Sequence, residues 1–162
     1  MTKPPPIPEG YGTVTPWVVT NDTRRLLEFI TEAFEADELD RIEVEGGAIG
    51  HAEARIGDSI IMMFDSPFPV ATPGLLRLYV EDADAVFERA VAAGATPVTR
   101  LTELAWGDRV GRVRDPLGNI WWIQERLEEP SPDEVARRFQ DPTFTEAMRY
   151  VQSSLAAGLD AP

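Results

Sequence analysis

The side chains best suited to acid–base chemistry in this sequence are His51 and Glu53. His51 is the one histidine among 162 residues, and Glu53 follows it by two positions. In a β-strand, side chains two positions apart point to the same face, so the carboxylate can hold the imidazole in one tautomer. We interpret the pair as a candidate general base or a polar anchor for a ligand. A strand histidine that bonds only to its neighbours, or one on a dimer surface, would show the same pattern.

Aromatic and cationic residues form a second group that could contact a ligand. Four tryptophans is a high number for a chain of 162 residues, and their rings either stack on a bound molecule or fill a core. Arg77, Arg109 and Arg112 could meet an anionic ligand, or they could balance an acidic surface. Asp108 could also pair with Arg109 and fix a loop.

The sequence offers little support for nucleophilic catalysis. Ser59 and Thr15 have no partners that would activate a hydroxyl group, so we predict no hydrolase triad. The absence of cysteine excludes disulfides, thiolate nucleophiles and thiolate metal sites.

The composition is typical of a globular protein with an acidic surface. With 162 residues, of which 43% are hydrophobic, the chain can form one domain or two small fused modules. The net charge of -13 argues against binding to nucleic acid or to anionic membranes. The first residues lack the apolar stretch of a secretory signal, and no apolar run approaches the roughly 20 residues that span a bilayer. We therefore expect a cytoplasmic protein.

The candidate residues lie on elements that occur twice along the chain. Asp22 and Asp82 are each typical of a helix N-cap, and apolar residues follow each of them at helical spacing. An offset of 60 residues places Asp22 on Asp82 and also superposes the two apolar stripes. This pattern predicts a βαβββ unit that is repeated once. Strands are predicted over 13–20, 40–45, 48–56 and 60–64 in the first half and over 75–80, 97–103, 109–114 and 120–125 in the second.

A helical extension follows the second unit. Ser131, Pro132 and Glu134 form a capping-box pattern, and Asp141 with Pro142 ends that helix or starts another. The apolar stripe of the extension covers either the chain's own domain or a dimer partner. It consists of Phe144, Met148, Val151 and Leu155. The predicted parts of the chain are a Pro-rich arm (1–12), a first module (13–66), a connector (67–74), a second module (75–126) and the helical extension (130–158).

The most informative motif is the turn Asp115-Pro116-Leu117-Gly118-Asn119. Its proline fixes φ, its glycine allows a positive φ, and it joins two runs rich in Val, Ile and Trp, as in a β-hairpin. Together with the duplicated unit and the segments 51–59 and 106–109, this turn makes the chain similar to the vicinal-oxygen-chelate superfamily. That superfamily includes glyoxalase I, bleomycin-resistance proteins and extradiol dioxygenases, and the PhnB-like branch matches best. The resemblance covers about 13–125.

The resemblance implies an α+β fold. Two βαβββ modules form a curled, partly open mixed β-sheet barrel around a concave pocket, and C-terminal helices follow. In metal-dependent members, His, Gln or Glu side chains on the first and last strands of each module hold a divalent ion. The corresponding strands of this sequence carry none of these side chains within their length, and only Gln124 and Glu125 lie at the end of the last strand. Zinc or iron needs about three such ligands, so we expect no metal and no other cofactor.

The resemblance also selects the residues that would line the pocket. Trp122, rather than Trp121, occupies the family's ligand-bearing strand position, and only one of the two can face inward. The candidate ligand-binding residues are Thr15, Trp17, His51, Met62, Tyr79, Trp106, Arg109 and Trp122.

These residues predict a protein that binds a hydrophobic or aromatic small molecule without a metal, as the drug-sequestering members do. The acidic surface would suit a cationic ligand. The alternative is a lyase, isomerase or dioxygenase-like enzyme with an atypical site that uses His51 and Glu53. A third hypothesis is a partner-binding module that uses the helical tail. A homodimer is expected from the resemblance alone.

Overall fold

The computed structural model describes residues 4–69 and 73–160, which form two compact units divided between Gly74 and Leu75. Residues 1–3 of the predicted arm and 70–72 of the predicted connector lie outside the described residues. Each unit contains one helix beside a sheet of four strands, so the predicted α+β fold with a repeated βαβββ unit is confirmed.

The strand order of the first sheet is β1-β4-β3-β2. Its edge strand β1 runs parallel to β4, and the other neighbours are antiparallel. The predicted strand 13–20 begins only at Trp17, because Pro16 has no N–H to donate to a ladder, although its carbonyl accepts a hydrogen bond from the Met62 N–H at 2.9 Å. The elements are β1 (Trp17–Thr20), α1 (Thr23–Phe34), β2 (Asp37–Glu43), β3 (Ile49–Ile56) and β4 (Ser59–Asp65).

The second sheet repeats this topology with the order β5-β8-β7-β6. Its edge strand β5 runs parallel to β8, as β1 does to β4. Two further helices extend the second unit beyond its last strand. The elements are β5 (Leu75–Tyr79), α2 (Ala83–Ala92), β6 (Thr96–Glu103), β7 (Asp108–Arg114), β8 (Ile120–Arg126), α3 (Pro132–Arg138) and α4 (Pro142–Asp160).

The N-termini of α1 and α2 are capped in the same way. Asp22 accepts a hydrogen bond from the backbone of the first turn of α1, and Asp82 does so in α2, as the sequence predicts. A second carboxylate at the end of the last strand also bonds to each helix. Asp65 accepts from the N–H of residue 23 at 2.6 Å, and Glu125 accepts from the N–H of residue 83 at 3.0 Å. Both pairs of carboxylates stabilise the positive end of a helix dipole and repeat at the offset of 60 residues.

One face of each sheet packs against the helix of its own unit and forms the core. Side chains from alternate strand positions meet the apolar stripe of the helix, because strand residues two apart share a face. Fully buried members are Leu26, Phe29, Ile30, Ala52 and Met63 in the first unit and Ala90, Val113, Trp121 and Ile123 in the second.

The turn 115–119 is organised around a single buried carboxylate. Asp115 Oδ1 accepts hydrogen bonds from the N–H groups of Leu117 and Asn119 at 2.8 and 3.0 Å. Its Oδ2 accepts from the Asn119 side-chain amide at 2.8 Å and from the Trp121 indole at 2.9 Å. Burial raises the pKa of Asp115, although these four bonds favour its charged form. The aspartate therefore ties the turn to the core tryptophan of β8.

The C-terminal helices pack on their own unit. Ser131 caps α3 by accepting from the Glu134 N–H at 3.3 Å, whereas the Glu134 carboxylate bonds to Arg137 and Arg138. Helix α4 lies against β6, with Val151 buried. Of the predicted apolar stripe, Val151 covers the chain's own unit, whereas Phe144, Met148 and Leu155 are only half-buried, and cover by a dimer partner stays a prediction. No helix among residues 4–69 and 73–160 is both long and apolar enough to cross a membrane.

Candidate functional site

The first sheet has one face that α1 does not cover. Alternation along the strands places Trp17, Met62 and Glu53 side by side on it, since Trp17 pairs with Met62 and Met62 pairs with Glu53. His51 and Phe64 continue the same face two positions further along their strands. We call these five side chains the open face of the first unit.

Aromatic and sulfur groups form one half of the open face. The Trp17 indole N–H lies 2.6 Å from the Met62 sulfur, and its ring meets Phe64 edge-on at 5.4 Å between centroids. The His51 ring lies 6.0 Å from the Trp17 ring. Trp17 remains 54% exposed although three neighbours hold its ring in place. A tryptophan that is both ordered and exposed is a surface on which an apolar or flat molecule can stack.

A hydrogen-bonded carboxylate forms the other half. Glu53 Oε1 lies 2.9 Å from His51 Nε2, and Glu53 Oε2 accepts a hydrogen bond from the Tyr11 hydroxyl. The bonds from Tyr11 and then His51 hold the pKa of Glu53 below its usual value, and they outweigh the opposing effect of burial. The same bond to Glu53 raises the pKa of Tyr11.

The tautomer and orientation of the His51 ring follow from this arrangement. An ionised carboxylate can only accept hydrogen bonds, so we assign the imidazole proton to Nε2. In the neutral ring Nδ1 then carries a lone pair, and no described residue donates to it. The side chain is 25% exposed. His51 can therefore accept a hydrogen bond or a proton from a molecule on the open face, while Glu53 holds its orientation.

Tyr11 belongs to the Pro-rich arm, which the sequence predicts at 1–12 but does not connect to the site. Its partner Glu53 is 42 residues away in the chain. Gly10 has a φ of 84°, and a side-chain carbon there would come within 3.1 Å of the Arg55 guanidinium. The arm thus crosses β3 closely at this point. No local pattern around Tyr11 could have indicated its role, because only the tertiary course of the arm creates the contact.

The predicted residues of the second unit have different surroundings. Trp121 is fully buried on the α2 side, and Trp122 lies half-buried on the opposite face. That face is not open over β7, because α4 packs across it. Trp122 and Trp106 both pack against an apolar cluster under α4, formed by Leu104, Val110 and Val151.

The remaining predicted site residues do not belong to the five side chains of the open face. Arg109 bonds to Asp84 at 2.6 Å and to Glu125 at 2.8 Å. Asp108 accepts from the Trp106 indole at 3.1 Å and from the Gln124 amide, so the predicted pairing of Asp108 with Arg109 is wrong. The reason is that consecutive strand residues point to opposite faces. Thr15 is half-buried before β1, and Tyr79 is 63% exposed at the end of β5.

Among residues 4–69 and 73–160, the donors needed for a metal ion are not brought together. On the faces opposite the helices, the paired positions of the first and last strands carry Trp17 with Met62 and Arg77 with Trp122. Gln124 shares the face of Trp122, but it is buried and its amide donates to Asp108. These side chains offer neither carboxylate nor imidazole donors. In the part of the chain that the structure describes, no group of three or more His, Asp or Glu side chains could hold a metal ion. The residues present do not fit the divalent ion of metal-dependent family members.

The fold defines an α+β protein built from two βαβββ units. A sequence model of the Glyoxalase/Bleomycin resistance protein/Dioxygenase superfamily matches residues 11–123, and the chain belongs to this superfamily. The match ends before α3 and α4, so both helices lie outside the part that defines the family.

Three similar proteins illustrate this membership. "Uncharacterized protein Mb0911c" of Mycobacterium bovis is 37% identical over 134 residues, which cover 75% of this chain and 88% of that protein. TioX of Micromonospora sp. ML1 superposes with a TM-score of 0.59 at 26% identity, over 74% of this chain and 100% of TioX. The PhnB protein of Bacillus cereus gives a TM-score of 0.55 at 17% identity, over 70% of this chain and 99% of that one, and shows the likeness of fold alone.

Proposed function

We propose that this protein binds a hydrophobic or aromatic small molecule on the open face of the first unit, without a metal. The observation that carries this proposal is Trp17, which is 54% exposed yet held by Met62 and Phe64. Stacking on such a ring contributes about 0.5–1.5 kcal/mol beyond the burial of apolar area. A drug-sequestering role is consistent with the superfamily, whose description includes bleomycin-resistance proteins.

The polar half of the open face adds orientation to this binding. With Nε2 directed to Glu53, His51 offers Nδ1 as an acceptor beside the Trp17 ring, 6.0 Å away. A ligand that combines a flat apolar part with a hydrogen-bond donor, such as a phenol or an aromatic amine, matches both halves. The ionised Glu53 also favours a cationic ligand over an anionic one here.

Calorimetric titration with a panel of phenols, aromatic amines and neutral arenes tests the proposal. We expect Trp17→Ala to weaken binding about tenfold, which corresponds to about 1.4 kcal/mol. Phe68→Ala is the matched control, because Phe68 is also exposed (73%) but lies outside the strands. It should change the affinity less than about twofold. Binding of no compound, or equal effects of the two substitutions, would contradict the proposal.

A lyase or isomerase that uses His51 as a general base is the second candidate function. The chain of hydrogen bonds from Tyr11 to Glu53 and from Glu53 to His51 favours it, since such a chain fixes the base. His51→Gln should then abolish turnover but leave ligand affinity within about threefold, because the amide can still accept a hydrogen bond. If turnover survives the substitution, His51 is a binding residue only.

The predicted homodimer and cytoplasmic location also belong to this proposal. Native mass spectrometry of the purified protein would report the oligomeric state and any bound ligand together. A monomer at micromolar concentration would contradict the dimer.

A further inference from the structure

Two arginines of the second unit lie over the same indole ring. The guanidinium carbon of Arg112 is 4.4 Å from the centroid of the Trp122 ring, and that of Arg77 is 5.9 Å away. The register explains this, because Trp122 pairs with Arg77 on β5 and with Arg112 on β7. We call the three side chains the arginine–tryptophan stack. The face they occupy is opposite to α2 and is covered in part by α4.

Arg112 is a buried charge with only neutral partners. It is 5% exposed, and its Nη1 donates to Thr99 Oγ1 at 3.0 Å and to the Val151 carbonyl at 2.7 Å. Its Nε is buried without a hydrogen-bond partner. Burial, and then the nearby charge of Arg77, lowers the pKa of Arg112 to about 10. Its guanidinium nevertheless remains cationic at neutral pH.

Among the described residues, no carboxylate forms an ion pair with Arg77 or Arg112. Other arginines of the second unit, such as Arg109 and Arg138, form ion pairs with acidic side chains. No described residue gives Arg77 or Arg112 such a partner, although the chain carries 28 acidic residues and a net charge of -13. Two adjacent cations without a counter-charge attract an anion, most strongly where one of them is shielded from water.

The surface beside Arg77 is accessible and apolar. Leu75, Arg77 and Tyr79 alternate onto one face of β5, and Leu75 and Tyr79 are 55% and 63% exposed. Arg77 is exposed between them, no described carboxylate bonds to it, and its forked donors can bind a planar anion in a bidentate manner.

We propose that the arginine–tryptophan stack is a binding site for small aromatic carboxylates or phosphates. The anionic group bonds to Arg77 and is attracted by the charge of Arg112, and the apolar part of the ligand lies on Leu75 or Tyr79. Helix α4 maintains the site, because it covers Arg112 and its Val151 carbonyl accepts a hydrogen bond from the guanidinium. This site belongs to the second unit and does not depend on the function proposed for the open face.

Benzoate and its neutral analogue benzamide are suitable probes. Binding is followed by NMR of protein labelled with [15N]tryptophan, in which Trp122→Phe identifies the Trp122 indole signal. We expect benzoate to shift that signal in a saturable manner and benzamide to bind at least about tenfold more weakly, because it lacks the charge.

Substitutions of exposed arginines supply the specific test. Arg77→Gln should weaken benzoate binding about tenfold or more, and Arg77→Lys should retain part of the affinity as a point charge. Arg126→Gln is the matched control, because Arg126 is also exposed (60%) on the neighbouring strand β8, and it should change the affinity less than about twofold. An unchanged Trp121 signal reports that each variant is folded.

Three results would overturn the proposal: no shift of the Trp122 signal at about 50 mM benzoate, equal affinities for benzoate and benzamide, or equal effects of Arg77→Gln and Arg126→Gln. Trp17→Ala separates this site from the open face. It should leave the benzoate response of Trp122 unchanged, so either site can fail while the other stands.

Discussion

Removal of the Asp115 side chain should destabilise the second unit severely. In Asp115→Ala, four hydrogen bonds disappear, and three of them involve buried donors: the Asn119 N–H, the Asn119 amide and the Trp121 indole. The remaining donor, the Leu117 N–H, is only part-buried and can bond to water. Loss of an acceptor costs about 1–3 kcal/mol for each buried donor.

The combined cost is about 3–6 kcal/mol, because bonds to one carboxylate are not fully additive. For a chain of this size that corresponds to a fall in Tm of roughly 10–20 °C. Asp115→Asn keeps one acceptor oxygen and should lose about half as much. Urea unfolding followed by far-UV circular dichroism measures the free energy, and calorimetry measures Tm.

Asp58 in the corresponding turn of the first unit provides the control. It is exposed, and its carboxylate accepts from the neighbouring Ser59 hydroxyl at 2.9 Å. Asp58→Ala should cost less than about 0.5 kcal/mol. If the two alanine variants lose equal stability, the turn 115–119 is not organised by its buried carboxylate and the reasoning is refuted.

Three further substitutions test other contacts. The pKa of Glu53 is lower in the folded protein than in the unfolded chain, so its contribution to stability is present above the unfolded pKa and is lost as the pH falls. Because the bond from Tyr11 is the main cause of the lowered pKa, Tyr11→Phe should reduce the difference in the free energy of unfolding between pH 7 and pH 3, measured by urea titration. An unchanged difference would contradict this. Gly158→Ala, which favours helix, should nevertheless speed hydrogen exchange at the end of α4, because the added carbon would overlap the Val98 side chain. Val98→Ala should reverse the effect. Asp82→Ala should lower the free energy of unfolding in urea by about 1 kcal/mol, because the N-cap of α2 is lost. A change near zero would show that Glu125 alone is enough to cap this helix.

Local chemistry made the fold predictable. N-caps, helical stripes and turn residues act over a few positions, so Asp22, Asp82 and the turn 115–119 could be assigned from the sequence. The spacing of His51 and Glu53 likewise placed both on one strand face, and the structure brings them to 2.9 Å. The function of that pair stays a prediction.

Long-range placement could not be predicted in the same way. The stripe through Val151 indicates an amphipathic helix but not which surface it covers, and α4 turned out to cover the face that carries Trp122. The lack of a described carboxylate beside Arg112 could not be predicted either, because it depends on which side chains four strands and a helix bring together. The role of Tyr11 cannot be predicted from local sequence, because its bond to Glu53 spans 42 residues.

The two hairpins also record the history of the duplication. Four residues separate Arg55 from its partner Ile60, whereas five separate Arg114 from its partner Ile120. A shift of one residue in a strand would turn every side chain to the wrong face, so the longer loop must be matched by a shorter segment before it. The two units therefore differ by compensating changes in segment length that keep the register of the sheet. The equivalent register position, opposite Met62 in the first sheet and opposite Trp122 in the second, carries Glu53 in one unit and Arg112 in the other, so the two faces carry opposite charges.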